Sequence, residues 1–306
     1  MRKFILKRLG YAVLSLFLLS FTIFFFVRVT GDPTTLLVEP GASREDIAAL
    51  QQQLGLDRPV WVQYGSFVSN LARGDFGRSF YYRTPVIELY LSRLPNSLLL
   101  AVAAMTFSLL IGIPSGILAA VRLNGVWDRA GKMFALLGLS MPQFWVGLLL
   151  ILFFSVYLGW LPSSGSGTPL HVLMPAFALG WYFAAAHMRL TRSSMLEVLG
   201  SEYIKLARLK GLPEALVIGK HAFKNALIPV LTLAGINLVL MINIAVVVET
   251  VFAWPGVGRL LYEGIAFRDF PVVQATIVLG GAMIIVVNLV VDVLYAWIDP
   301  RIRLGR

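Results

Sequence analysis

Six long apolar segments, separated by more polar connections, dominate the pattern of the 306-residue chain. They cover residues 9–29, 97–121, 133–158, 171–190, 228–251 and 274–298. Each has roughly the 20 residues that a helix needs to cross a bilayer. The first is longer than the apolar core of a signal peptide, and no A-x-A-like cleavage site follows it. The pattern predicts an all-α, polytopic membrane protein with six transmembrane helices.

Composition agrees with this prediction. Hydrophobic residues make up 58% of the chain and charged residues 14%, whereas soluble domains have about 45–50% and about 25%. This balance argues against a disordered chain, a cytosolic enzyme or a secreted disulfide scaffold. Because the sequence has no cysteine, disulfides, zinc–thiolate sites and cysteine nucleophiles are excluded.

The positions of Lys and Arg predict how the chain crosses the membrane. Seventeen of the 26 lie at the two termini or in the connections after the second and fourth segments, and these include every lysine. Cytoplasmic loops of membrane proteins are enriched in such residues. We therefore expect a bacterial inner-membrane protein with both termini in the cytoplasm. Its net charge of +10 then reflects topology rather than nucleic-acid binding.

The long first connection predicts a separate external subdomain. We expect an N-terminal transmembrane helix (1–30), this external subdomain (31–96) and a core of five transmembrane helices (97–306). Within the subdomain, Ser43 and Asp46 resemble a capping box, and Pro59 suits the start of a second helix. The small helical subdomain either caps the helix bundle or takes part in docking and gating.

The cytoplasmic connection at 195–227 predicts a helical hairpin. Residues 202–210 form one predicted helix, Gly211 can end it, and Pro213 can start a second helix over 214–225. Residues 189–227 carry seven Lys and Arg. The hairpin therefore either lies on anionic lipid or docks a cytoplasmic partner.

Motifs for catalysis are missing from the sequence. The histidines form no H-x-x-x-H pair, and neither Gly-Lys pair belongs to a P-loop. Gly112 and Gly116 have the spacing of close helix packing. Asn237, Asn243 and Glu249 lie in the fifth segment, where they either line a polar pathway or make interhelical hydrogen bonds. This profile indicates transport, with an energy source outside the chain.

Several motifs identify a family resemblance. The stretches EYIKLARLKG (202–211) and HAFKNALIP (221–229) resemble the cytoplasmic signature of binding-protein-dependent ABC importer permeases, although only Ala207 and Gly211 match its Glu-Ala-Ala and Gly positions. Further stretches resemble the peptide/nickel branch of that family. They are GLDRP (55–59), GDFGRS (74–79), RLPNS (93–97), WPGVGRL (254–260) and RDFPVVQ (268–274). The long first loop is similar to that of the first subunit of the permease pair.

The resemblance implies the type I permease fold of ABC importers and a set of partners. These are a homologous second permease, two P-loop ATPases that bind ATP and Mg, an extracytoplasmic solute-binding protein, and the lipid bilayer. This chain itself would hold no catalytic residue, cofactor or metal, and would bind no nucleic acid. The expected substrate is a di- or oligopeptide, with glutathione or a nickel chelate as the alternative. A secondary transporter and a membrane scaffold are the rival classes.

The resemblance also implies which residues act. The hairpin would be the coupling helix that fits a groove of the ATPase. The residues expected there are Glu202, Tyr203, Ala207, Lys210, Gly211 and Leu212. Candidates for the pathway and its outer gate are Asn237, Asn243, Glu249, Trp254, Pro255 and Gly256.

Overall fold

The apolar segments fold as helices. A computed structural model describes the backbone of residues 2–29, 45, 48, 51, 52 and 55–298, and within these ranges the side chains of residues 10–288. The predicted helix that starts near Ser43 and Asp46 lies largely outside the described residues. Within the described part, pairing of extended backbone is limited to an isolated bridge between Arg78 and Pro85.

The helices of the described part follow one another with short connections. They are α1 (Arg2–Val29), α2 (Val60–Ala72), α3 (Val86–Val121), α4 (Val126–Ser140), α5 (Gln143–Leu150), α6 (Leu170–Leu199), α7 (Glu202–Leu209), α8 (Glu214–Leu216), α9 (Phe223–Val251), α10 (Val257–Ala266) and α11 (Phe270–Ile298). Two π-helical segments, Ile151–Tyr157 and Val217–Ala222, follow α5 and α8.

Tertiary contacts divide the chain into two compact units. One comprises Met1–Pro95 with Gly256–Arg306, and the other comprises Asn96–Pro255. The last two helices therefore group with the N-terminal part of the chain. The predicted domain boundaries after residues 30 and 96 remain predictions.

Four helical segments are long and apolar enough to cross a membrane. They are Gly10–Val29, Val86–Val121, Glu214–Val251 and Phe270–Asn288. A fifth crossing results if α4 and the helix Gln143–Tyr157 form one broken span, since the two are bent by 105°. A polytopic membrane protein is thus confirmed, whereas the count of six transmembrane helices is not established.

The prediction of one continuous helix over residues 133–158 is wrong. The chain leaves the helical conformation at Met141, whose backbone is extended (φ −88°, ψ 129°). Pro142 follows, and a proline ring disfavours the helical conformation of the residue before it. The break therefore follows from the sequence Met141-Pro142.

The fourth predicted segment lies within the 30-residue helix α6. This helix is less apolar than the four segments above, because it contains His171 and His187 as well as several aromatic and charged residues. Nearly half of its residues are buried. Much of its surface therefore packs against protein rather than lipid, which relaxes the need for apolar side chains.

The main apolar core belongs to the second unit. Buried side chains from α3, α6 and α9 meet there, among them Leu100, Leu179, Phe183 and Met241. Small residues let α3 approach α6 closely. A Cβ atom on Gly112 would lie 2.7 Å from the carbonyl oxygen of Ala184, and one on Gly116 would lie 2.7 Å from that of Met188. The packing role predicted for these glycines is confirmed.

Replacing Gly116 with alanine is therefore expected to destabilise the second unit by about 1–3 kcal/mol, since the methyl group would force α3 and α6 apart. The measurement is the thermal unfolding midpoint of the purified protein in detergent. Gly280→Ala is the matched control, because a Cβ at this helical glycine would meet no atom within 4 Å. Equal midpoints for the two variants would contradict the prediction.

In the first unit, the external helix α2 packs on the end of α1. The Tyr64 ring lies 5.1 Å from that of Phe24, and its hydroxyl lies 3.1 Å from the Ser20 hydroxyl. Arg28 donates two hydrogen bonds to the side-chain oxygen of Gln63 (3.1 and 2.7 Å). The predicted helix after Pro59 is confirmed, with Val60 as its first residue.

Two of the motifs meet in this unit. Asp269 is buried and accepts hydrogen bonds from the Ser79 hydroxyl (2.5 Å) and the Tyr81 backbone amide (3.0 Å). The Tyr82 hydroxyl donates to Glu263 (2.7 Å). Burial, together with this hydrogen bond, raises the pKa of Tyr82 to about 12. Tyr82 thus stays protonated at neutral pH, and these bonds fix the GDFGRS turn against the loop before α11.

Candidate functional site

The cytoplasmic hairpin turns at the predicted glycine. Helix α7 ends at Leu209, and Gly211 has φ +75°, a left-handed conformation that glycine adopts without strain. The amide of Gly211 bonds to the carbonyl of Arg208 (2.9 Å), and that of Leu212 to the carbonyl of Ala207 (3.4 Å). These bonds are typical of a helix that ends in a left-handed residue.

The second helix of the hairpin differs from the prediction. Pro213 does precede a helix, but the helix does not end at residue 225. Helix α8 passes through the π-helical segment Val217–Ala222 into α9 without a break. The hairpin and the fifth apolar segment therefore form one continuous rod.

The inner side of α7 is anchored in its own chain. Ile204 and Ala207 are buried, and they pack with Val217, Ala222 and Ala226. The small side chain of Ala207 thus permits close packing within this hairpin. Leu212 packs against the edge of the same cluster.

The outer side of α7 exposes an apolar stripe. Tyr203, Leu206 and Leu209 are 45%, 52% and 84% exposed. The two leucines were missed as site residues, although apolar residues at every third position, with charged residues between them, could have indicated a second face. Glu202 and Lys210 are also exposed, at the two ends of the helix.

Polar contacts hold the hairpin closed. Arg208 donates two hydrogen bonds to the Glu214 carboxylate (3.1 and 2.7 Å), which joins α7 to α8 across the turn. Asn225 donates to the Tyr203 hydroxyl (2.9 Å). Exposed ion pairs contribute only about 0–1 kcal/mol each. The two-point contact nevertheless fixes the geometry of the tip, which a surface that transmits movement requires.

The three polar residues of α9 do not share one face. Glu249 is fully buried and accepts a hydrogen bond from the Ser97 hydroxyl of α3 (2.6 Å). Asn237 is buried, and its amide nitrogen lies 3.2 Å from Nε2 of His187 on α6. Asn243 is exposed and donates to the Val239 carbonyl of its own helix (3.0 Å). Interhelical hydrogen bonding therefore accounts for Asn237 and Glu249 in this arrangement.

The segment after α9 is fastened to the start of α3. The Trp254 indole donates to the Asn96 carbonyl (3.0 Å), and the Asn96 side chain donates to the Pro255 carbonyl (3.0 Å). Ala253 adopts a left-handed conformation (φ +47°) just before these contacts. Gly256 follows in an extended conformation as the N-cap of α10. Among the described residues, no group of three or more His, Asp and Glu side chains could hold a metal ion.

Two protein families match the chain. Residues 112–304 match the family described as binding-protein-dependent transport system inner membrane component. Residues 1–101 match the corresponding N-terminal family of these membrane components. The two matches together cover nearly the whole sequence.

Curated relatives and solved structures agree with these matches. The glutathione transport system permease protein GsiC of Escherichia coli (strain K12) is 42% identical over 304 residues, which are 99% of each chain. GsiC of Salmonella choleraesuis (strain SC-B67) gives the same values. In fold, the chain is similar to the inward-facing MetNI methionine ABC transporter, with a TM-score of 0.58, 20% identity, and coverage of 70% of this chain and 97% of that one.

A second solved structure, an amino acid ABC transporter with histidines, has a TM-score of 0.54 and 16% identity, and the match covers 68% of this chain and 93% of that one. These two likenesses establish the fold. The family matches and the full-length relatives confirm the resemblance that the sequence motifs indicated. The chain belongs to the inner-membrane components of binding-protein-dependent transport systems, as a permease subunit of an ABC importer in the peptide/nickel branch.

Proposed function

We propose that this permease, paired with a homologous second permease, forms the path by which glutathione or another short peptide enters the cell. The observation that carries the proposal is the 42% identity to GsiC, because it extends over 99% of both chains. Such an alignment includes the external subdomain, the coupling hairpin and the outer segment together. A nickel-chelate importer is the alternative within the branch.

The hairpin is the proposed contact with the ATPase. Tyr203, Leu206 and Leu209 present an apolar stripe that water covers in the isolated chain, and Glu202 and Lys210 flank it. Fully burying a leucine contributes about 1.5–3 kcal/mol, so this stripe is sufficient to anchor a partner. Gly211 and Leu212 set the angle at which the stripe is presented, and Ala207 anchors it from within.

The proposed topology has six crossings and cytoplasmic termini. The broken pair α4 and α5 supplies the third crossing, and α6, shielded by its neighbours, supplies the fourth. This arrangement places the Lys-rich connections in the cytoplasm, as the positive-inside rule requires. ATP and Mg would then be bound by two separate P-loop ATPases, and substrate would be delivered by an extracytoplasmic solute-binding protein.

The function is tested by purifying the permease with its partners. We expect two P-loop ATPases to co-purify, and we expect glutathione with its binding protein to stimulate ATP hydrolysis in proteoliposomes. Dipeptides, oligopeptides and nickel chelates, each with the binding protein, are the comparison substrates. Uptake that follows an ion gradient and needs no ATPase would instead indicate a secondary transporter.

The outer segment is expected to move during transport. A short thiol cross-linker joining Ser97→Cys to Glu249→Cys should block uptake reversibly, because it would fix the contact between α3 and the end of α9. The sequence contains no cysteine, so labelling is confined to the introduced pair. The control pair Val247→Cys and Val251→Cys lies within α9 alone. Normal uptake by the Ser97–Glu249 cross-linked importer would show that this contact is static.

A further inference from the structure

A groove of about 780 Å³ lies along α4 and α6 in the second unit. Its walls are mainly apolar and include Leu136, Leu139 and Ala186. Three cations, Lys132, Arg189 and Arg192, line the same groove. A single groove thus combines a greasy wall with a strongly basic one.

The basic part carries an excess of positive charge. Asp128 is fully buried beneath it and accepts two hydrogen bonds from Arg192 (2.7 and 3.2 Å), while the Lys132 ammonium lies 2.9 Å from the same carboxylate. The backbone amide of Asn124 also donates to Asp128 (3.0 Å). Arg189 is exposed and has no hydrogen bond or ion pair to any described residue. One buried carboxylate therefore faces three cations.

The order of these residues along the helices gives the groove a direction. Lys132 lies near the start of α4, and Leu136 and Leu139 follow it by four and seven residues. At a rise of about 1.5 Å per residue, the apolar wall extends roughly 10 Å beyond the basic part. On α6, which runs the opposite way in the proposed topology, Ala186 precedes Arg189 and Arg192. Both helices therefore place the cations at the same end.

We propose that this groove binds an anionic phospholipid of the cytoplasmic leaflet. The lipid phosphate would contact Lys132, Arg189 and Arg192, and an acyl chain would lie along Leu136, Leu139 and Ala186. The choice of leaflet rests on the proposed topology, which puts the start of α4 at the cytoplasmic surface. Basic pockets between transmembrane helices on that side are suited to acidic lipid headgroups. A free anion would leave the apolar wall without a partner, so the chemistry favours a lipid.

The test measures lipid retention by the intact importer. The complex is purified in mild detergent, exchanged into mixed micelles of phosphatidylglycerol and phosphatidylethanolamine, and analysed by native mass spectrometry. We expect retained phosphatidylglycerol to fall roughly tenfold or more in the double variant Lys132→Gln with Arg189→Gln. Arg192 is left unchanged because it pairs with buried Asp128.

Two further variants make the result specific. Arg129→Gln removes a charge from an exposed residue of α4 that does not line the groove, and it should retain lipid as the wild type does. Ala186→Phe keeps every charge but fills the apolar wall, and it should lose the lipid. Equal retention of the two lipids by the wild type, or unchanged retention in the double variant, would overturn the proposal.

A competing occupant is the second permease. Ser193 lines the groove and is exposed, so Ser193→Cys reports on what covers it. Ready labelling by a thiol reagent in the lipid-depleted complex would support the lipid site, whereas cross-linking of this cysteine to the partner permease would overturn it. The lipid readout is independent of substrate, so failure of the transport proposal would be seen separately.

Discussion

Replacement of Gly211 by leucine is expected to leave ATP hydrolysis intact while uptake falls at least about tenfold. The left-handed conformation at φ +75° costs a residue with a side chain about 1–2 kcal/mol, so the turn would reshape. No atom of the chain lies within 4 Å of the position that a Cβ would take. The leucine would therefore project from the tip of the hairpin towards the ATPase. The measurement is the ratio of substrate imported to ATP hydrolysed in proteoliposomes.

Two variants separate the backbone effect from the added bulk. Gly211→Asn should keep most of the coupling, because asparagine tolerates the left-handed conformation. Gly211→Ala introduces the backbone cost with little bulk and should fall between the two. A normal ratio of uptake to hydrolysis in Gly211→Leu would refute the role of this turn in coupling.

The largest loss of stability is expected from Arg192→Gln. Asp128 has no solvent exposure, and Arg192 supplies its two-point hydrogen bond. Removing one partner of a buried ion pair costs about 3–5 kcal/mol, because the remaining charge is left without compensation. Lys132, whose side chain is 53% exposed, offsets only part of that loss. We expect a large drop in the thermal unfolding midpoint and less protein in the membrane.

The double variant Asp128→Asn with Arg192→Gln provides the control. Replacing both charged groups leaves two neutral amides that can still bond, so much of the lost stability should return. If the double variant is no more stable than Arg192→Gln alone, the loss comes from packing around Arg192 rather than from the unpaired carboxylate.

Features that depend on local sequence were predicted well. The apolar segments indicated helices, and the turn at Gly211 followed from a glycine and a proline two residues apart. The break at Met141-Pro142 was equally local, but the long apolar run on both sides concealed it. Length and apolarity alone did not reveal that the 133–158 segment bends.

Features that depend on distant residues could not be predicted from the pattern. Ser97 and Glu249 are 152 positions apart, and Ser79 and Asp269 are 190 apart. Helical spacing places Ala207 on a face of α7, but only the packing of Val217 and Ala222 decides that this face points inward. The same packing leaves Leu206 and Leu209 exposed, which is why these two residues emerged only from the structure.

The continuity of the hairpin with α9 has a mechanical consequence. From Glu214 to Val251 the chain is one helical rod of 38 residues, about 57 Å long at 1.5 Å per residue. It carries the hairpin at one end and Glu249 at the other, with no loop between them to absorb displacement. A rotation imposed at the cytoplasmic tip would reach the outer end as torque, and the wider π-helical turns at Val217–Ala222 are the place where the rod can change its pitch.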